Sequence, residues 1–197
     1  MKLFRHFISF MRQRCCHLAS DQRGISAIEF SLLMPLMMIM YFGSIEVTDA
    51  ISADRQVTLV ASTVADITTE YTSVAASDVT NILAAASAVL SPFPMTNGQV
   101  VLSSVVIDAN GNAYVDWSAT QNGTQRSGNV TSMVPTALRV ANTSLIWGEA
   151  TYVYQPSLGY VITGSFNLYN QIFMRPRLSA CVQYTGSYCS GGAVNAP

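Results

Sequence analysis

Residues 23–47 read RGISAIEFSLLMPLMMIMYFGSIEV, and this stretch decides the architecture of the chain. Residues 30–45 of it carry no charged side chain. As a helix they would extend for about 24 Å at 1.5 Å per residue. Residues 25–28 lengthen that run across Glu29 to roughly the ~30 Å of a bilayer core. We therefore predict a single transmembrane helix over residues 25–47.

The charges around this segment predict its orientation. Half of all Lys and Arg residues precede residue 25, where only Asp21 opposes them. Basic flanks stay on the cytoplasmic side. We therefore expect residues 1–24 on the cytoplasmic side, residues 25–47 in the membrane and residues 48–197 on the extracytoplasmic side. A cleaved secretory signal peptide is the alternative, but its apolar region is usually shorter and ends at a small-x-small site.

The membrane edge carries a processing motif. Gly24 closes the basic leader, Ile25 follows it, Glu29 comes five places after the Gly, and Phe30 follows the Glu. This pattern resembles the processing site of type IV prepilins and pseudopilins, which a membrane aspartyl peptidase cuts after the Gly. The resemblance implies cleavage between Gly24 and Ile25, with removal of residues 1–24 as a leader.

Glu29 is the candidate assembly residue. A charged side chain deep in a membrane helix costs ~2.5–3.5 kcal/mol on insertion scales, so such residues are rare and usually paired. The resemblance to pilins implies that Glu29, followed by Phe30, pairs with the N-terminal amine of a neighbouring subunit. The alternative is an interfacial carboxylate that faces lipid headgroups, since Glu29 lies near one end of the segment.

Beyond residue 47 the pattern predicts more helix. An apolar stripe at alternating spacings of three and four indicates a helix that packs either on the chain's own sheet, which we favour, or on another helix. A second helix follows, with Ser77 as its candidate cap, and ends before Pro92 and Pro94. The stripe consists of Val57, Val60, Val64, Ile67, Tyr71 and Val74.

The remainder of the chain reads as strands. Val- and Ile-rich segments favour strands, and Asn110-Gly111 is a strong hairpin signal. A polar loop over residues 120–132 interrupts them. Helix first and sheet second predicts a pilin-like α+β fold, with a long membrane-anchored N-terminal helix and a four-stranded antiparallel meander packed on helix. The predicted strands are residues 100–108, 113–119, 144–154 and 166–178.

Further blocks resemble the TadE- and TadG-like pilus assembly proteins. That resemblance implies a minor pilin or pseudopilin that works with other pilin-like subunits, the pilus assembly machinery and a prepilin peptidase. The chain has no room for the extra domain of TadG-like proteins, so it is more similar to TadE-like ones. The blocks are Arg23-Gly24, Ala27–Phe30, Pro35, Gly43 with Glu46, Val64–Ile67, Glu149 with Tyr152, Tyr154 and Pro156, and Arg175-Pro176-Arg177.

Two arginines and two cysteines of the C-terminal part need an interpretation. Arg175 and Arg177 share a strand face by alternation, where they either pair with Glu149 or Asp116 or remain solvated. Cys181 and Cys189 are the cysteines outside the leader, in a compartment where disulfides persist. We predict a bond between them, with two free thiols as the alternative.

The sequence offers no recognisable catalytic set. Both histidines, His6 and His17, lie in the leader. Without a His base, a metal cluster or a phosphate-binding glycine loop, we predict no enzyme, no cofactor and no metal. The net charge of -1 gives no reason to expect nucleic acid as a partner. Two alternatives to an assembly protein remain: an uncleaved signal-anchor protein with a periplasmic binding domain, and an envelope hydrolase that uses carboxylates.

Overall fold

The structure is a computed structural model that describes residues 23–156, 159, 163–185 and 189. Most of the predicted leader lies outside these residues. The chain divides into two compact units, Met1–Ile45 and Glu46–Pro197. The α+β prediction is confirmed, because a long apolar helix is followed by a four-stranded antiparallel sheet.

Helix α1 spans Arg23–Thr69 and includes Pro35 without ending there. Every residue from 24 to 41 is exposed, although most of them are apolar. By length and composition the helix is able to cross a membrane. An exposed apolar surface of this kind costs free energy in water and none in lipid. The first part of α1, residues 24–41, is therefore compatible with a single-pass membrane anchor.

The sheet of the second unit departs from a meander. Its strands are β2 (Gly98–Ile107), β3 (Ala113–Gln121), β4 (Thr143–Tyr154) and β5 (Phe166–Met174), and their spatial order is β3-β2-β4-β5. The predicted meander was wrong at one step, because β4 pairs with β2 instead of β3. The long connection of residues 122–142 allows this step. The last strand ends at Met174 instead of residue 178, since Pro176 cannot donate to the ladder.

The hairpin prediction at Asn110-Gly111 is confirmed. The Asp108 carboxylate accepts the backbone N–H groups of Asn110 and Asn112, each at 2.8 Å. Gly111 adopts φ 81°, a left-handed conformation that favours glycine. These local bonds set the register in which Ile107 pairs with Ala113.

The second part of α1 packs on one face of the sheet, so the own-sheet interpretation of the stripe is confirmed for Val57, Val60 and Val64, which are fully buried. Gly148 of β4 allows a close approach there. A Cβ at Gly148 would lie 2.5 Å from the Ala61 carbonyl oxygen. Of the rest of the stripe, Ile67 packs partly buried against the same core and Val74 is fully buried in it. Tyr71, just beyond the end of α1 at Thr69, is exposed.

Helix α2 spans Ala76–Leu90 and ends before Pro92, as predicted. The expectation that Ser77 caps it was wrong. The helix begins at Ala76 with Ala75 as its N-cap residue. The Asp78 carboxylate accepts the backbone N–H of Ala75 at 2.9 Å. An acidic residue in the first turn also complements the helix dipole. The buried face consists of Val79, Ile82, Leu83, Ala86 and Leu90.

A short parallel pair that the sequence did not predict closes the unit. Strand β1 (Ser73–Val74) pairs with β6 (Gln183–Tyr184). The Trp117 indole N–H donates to the Val182 carbonyl at 2.8 Å, which ties this segment to the sheet. The structure joins Cys181 and Cys189 in a disulfide beside the buried Val106.

Candidate functional site

The candidate processing residues lie in the first turn of α1. Ile25 is exposed, and a Cβ added at Gly24 would meet nothing within 4 Å. Packing within the described chain therefore does not require a glycine at this position.

Glu29 and Phe30 are both exposed on α1. None of the ion pairs formed among the described residues includes Glu29. Ile25 and Glu29 are four residues apart, so they lie on the same face of the helix. The structure thus places a carboxylate one turn from the residue that would become the new N-terminus.

A buried polar cluster lies on the face of the sheet opposite α1. The Arg126 guanidinium, from the 122–142 connection, donates to both carboxylate oxygens of Glu149, at 2.7 and 2.9 Å. Glu149 is only 3% exposed. The Tyr169 hydroxyl of β5 donates to the same carboxylate at 2.9 Å. Burial and this hydrogen bond to Glu149 raise the pKa of Tyr169, and the hydrogen bond from Arg126 to Glu149 raises the pKa of Arg126.

Aromatic contacts extend this cluster. The Arg126 guanidinium lies 5.3 Å from the centre of the Trp147 ring, and Trp147 stacks on Phe173 with centroids 5.2 Å apart. The Trp147 indole N–H donates to the Gln171 side chain at 3.2 Å. Both oxygens of Glu149 already accept hydrogen bonds, so this cluster acts as a clamp that holds the connection on the sheet. The sequence pattern did not predict a structural role for Arg126. An available signal was its isolation, because it is the only Lys or Arg between Arg55 and Arg139.

The structure revises the interpretation of the Arg-Pro-Arg block. Arg177 pairs with Asp66 and Glu70 of α1, and its backbone N–H donates to the Thr69 carbonyl at 3.0 Å. The sequence left open whether Arg177 pairs with Glu149, pairs with Asp116 or remains solvated; Glu149 was the wrong partner, since Arg126 holds that carboxylate. The error came from strand alternation, which does not apply beyond Met174. Arg175 is exposed.

Among the described residues, no group of three or more His, Cys, Asp or Glu side chains could hold a metal ion. The clamp joins the connection to the sheet. The residues predicted to act in processing and assembly lie instead on the exposed part of α1.

One segment of the chain matches a known family model. Residues 24–66, which lie within α1, match the model of the TadE-like proteins. Neither a characterised protein nor a solved structure gives a significant match. The strand block from Glu149 to Pro156 and the Arg-Pro-Arg block lie outside the matched residues, so their resemblance stays a prediction. Over residues 24–66, this chain is therefore similar to the TadE-like proteins.

Proposed function

We propose that the protein is a minor pilin or pseudopilin that takes part in assembly of a Tad-type, type IV-like pilus. A prepilin peptidase would cut it between Gly24 and Ile25 in the inner membrane. The observation that carries the proposal is that the TadE-like segment, residues 24–66, lies within one helix whose first part is apolar and exposed. The proposal assigns the protein no catalytic role and no cofactor.

The surroundings of Gly24 support the processing step. Among the described residues, nothing lies within 4 Å of a Cβ built at Gly24. A peptidase that admits an extended backbone needs a residue without a side chain at the cut. This requirement explains the glycine, which internal packing does not.

The state of Glu29 supports the assembly step. Its exposed carboxylate forms no ion pair within the described part of the chain, and an unpaired charge in a membrane helix is costly. The amine of Ile25 in a neighbouring subunit would supply the opposite charge after cleavage. This pairing would align each new subunit, either within the filament or in a complex that remains in the membrane.

Processing is tested by intact mass and N-terminal sequencing of the protein from membranes of a host with its own prepilin peptidase. We expect a chain that begins at Ile25. Gly24→Val should leave the leader attached, whereas the control Ser31→Ala should be cut normally. A chain that still begins at Met1 would contradict processing and favour an uncleaved signal-anchor protein with a periplasmic binding domain.

Assembly is tested with Glu29→Ala in a strain that produces the pilus. We expect cleavage to continue while recovery of the protein with other pilin-like subunits falls about tenfold, the effect of roughly 1.4 kcal/mol. Glu29→Asp, which keeps the charge, is the matched control. Normal pilus formation with Glu29→Ala would rule out the pairing with the N-terminal amine.

A further inference from the structure

An open cavity of about 430 Å³ lies within the second unit, and neither the clamp nor the proposed assembly step uses it. Its volume falls in the range of small-molecule and side-chain sites, roughly 300–1,000 Å³. Three segments form it: α1, the turn that follows α2, and the end of β4. The lining residues are Asp49, Pro92, Phe93, Pro94, Asn97, Tyr152, Tyr154 and Gln155.

Aromatic side chains form the fixed walls of the cavity. The rings of Phe93 and Tyr152 lie 5.8 Å apart, and Tyr154 packs against Phe166 at 5.3 Å. Tyr152 and Tyr154 are each only 4% exposed, so their positions are set by the core. Aromatic faces attract cations through the ring quadrupole.

The charge of the lining is negative. Asp49 is the only charged residue among the described residues that line it, and none of the ion pairs among these described parts of the chain includes Asp49. After burial, the charges of Asp49 and Glu46 are the next causes that raise the pKa of Tyr154. The negative potential therefore extends to the aromatic wall.

We propose that this cavity binds the basic side chain, arginine or lysine, of a partner protein. Asp49 supplies the opposite charge, and the partly exposed ring of Phe93 supplies an aromatic wall for the cation. The amides of Asn97 and Gln155 offer hydrogen bonds to the flanking backbone of the partner. An anionic group finds no Lys, Arg or His among the lining residues that the structure describes.

A protein partner fits the lining better than a membrane lipid. A zwitterionic lipid carries a phosphate beside its ammonium group, and phosphates are held by cations or by clusters of donors. Within the described part of the chain, the lining offers no cationic side chain for that phosphate. The inference does not depend on leader cleavage, so it can fail or hold independently of the proposed function.

The test uses the full chain in detergent micelles with carbon-13 labelled Tyr and Phe rings, observed by NMR. The probes are blocked tripeptides that differ only in the central residue between two alanines, which is arginine, lysine, glutamine or glutamate. We expect saturable shifts of the Tyr152 and Tyr154 rings with arginine and lysine, and none with glutamate. Equal binding of the glutamine or glutamate peptide would overturn the proposal.

Variants locate the site. Asp49→Asn should weaken binding of the arginine peptide about fivefold, as expected for a partly exposed charge pair. Asp54→Asn makes the same charge change on α1 outside the lining and should bind normally. Phe93→Leu should weaken binding while leaving the tryptophan emission unchanged. Unaltered affinity in both Asp49→Asn and Phe93→Leu would contradict the assignment.

A second experiment tests whether a lipid headgroup, instead of a protein side chain, occupies the cavity. The same spectra are recorded in nanodiscs of phosphatidylglycerol alone and of phosphatidylglycerol mixed with phosphatidylethanolamine. We expect no shift of the Tyr152 and Tyr154 rings between the two. A shift caused by phosphatidylethanolamine and lost in Asp49→Asn would assign the cavity to a lipid headgroup and overturn the proposal.

Discussion

The two faces of the four-stranded sheet are covered in different ways. On one face α1 and α2 bury a continuous apolar core, in which Val64, Leu102 and Ile146 are fully buried. The other face is covered in part by the 122–142 connection, which adds a smaller apolar core and the clamp between Arg126 and Glu149. Burial on the helix face is spread over many side chains. On the other face, a few directional contacts hold the 122–142 connection on the sheet. A single substitution in those contacts should therefore lower the free energy of unfolding more than one in the apolar core of the helix face.

Each face contains one of the two tryptophans of the chain. Trp117 lies in the core on the helix face, whereas Trp147 lies in the smaller core and contacts the clamp. Trp147→Phe and Trp117→Phe backgrounds therefore provide separate fluorescence reporters for the two faces. Unfolding of the purified full chain in detergent is followed by tryptophan fluorescence in each of the two backgrounds.

The largest effect is expected from Arg126→Met, because it leaves the Glu149 carboxylate buried without its charge partner. Removing one partner of a buried pair costs about 3 kcal/mol of unfolding free energy. The emission of Trp147 should change, and that of Trp117 should not. The double variant Arg126→Met/Glu149→Leu should recover most of the loss, since no unpaired charge remains. If Arg126→Met leaves the free energy of unfolding unchanged, the clamp does not hold the connection.

The next effect tests the close packing of the helix face. In Gly148→Ala the new Cβ would lie 2.5 Å from the Ala61 carbonyl oxygen and 3.1 Å from the Ala65 Cβ. Backbone must shift to accept it, at a cost of about 2 kcal/mol. Adding Ala65→Gly should not restore stability, because the carbonyl contact remains. Full recovery in that double variant would identify the Ala65 methyl as the controlling contact.

Tyr169→Phe should cost about 1 kcal/mol at neutral pH through the lost hydrogen bond to Glu149. Burial and that hydrogen bond raise the folded pKa of Tyr169 above its usual 10.0. The unfolded chain therefore ionises first as pH rises, and this contribution to stability is lost above pH 10. We expect the stability of Tyr169→Phe to fall less steeply with pH in that window. Parallel pH curves for the two proteins would contradict the shift.

The smallest effect is expected from Arg177→Met. Its ion pairs with Asp66 and Glu70 join the chain after β5 to α1, but the Arg177 side chain is 54% exposed. Such pairs contribute about 0.5 kcal/mol and are screened by salt. Denaturant unfolding at low and high salt should show a small difference that disappears at high salt. A loss as large as that of Arg126→Met would show that exposure does not distinguish the two ion pairs.

Features that arise from local patterns could be predicted from the amino-acid sequence. The uncharged run of residues 30–45 predicted the long helix, and the stripe of Val57, Val60 and Val64 predicted the side of α1 that packs on the sheet. Asn110-Gly111 predicted the hairpin, and the β-branched segments predicted all four strands to within a few residues. These features follow from hydrophobic periodicity and backbone preference, which act over neighbouring residues.

Features that depend on contacts between distant segments became evident only in the folded structure. The strand order, the partners of Arg126 and Arg177, the β1–β6 pair and the cavity at Asp49 all join residues that are far apart in sequence. Arg126 illustrates the reason. Nothing near it in sequence indicates a carboxylate on β4, and the ion pair exists because the connection crosses the sheet there. Local periodicity predicts which face of an element is buried, but the packing of the whole unit determines what buries it.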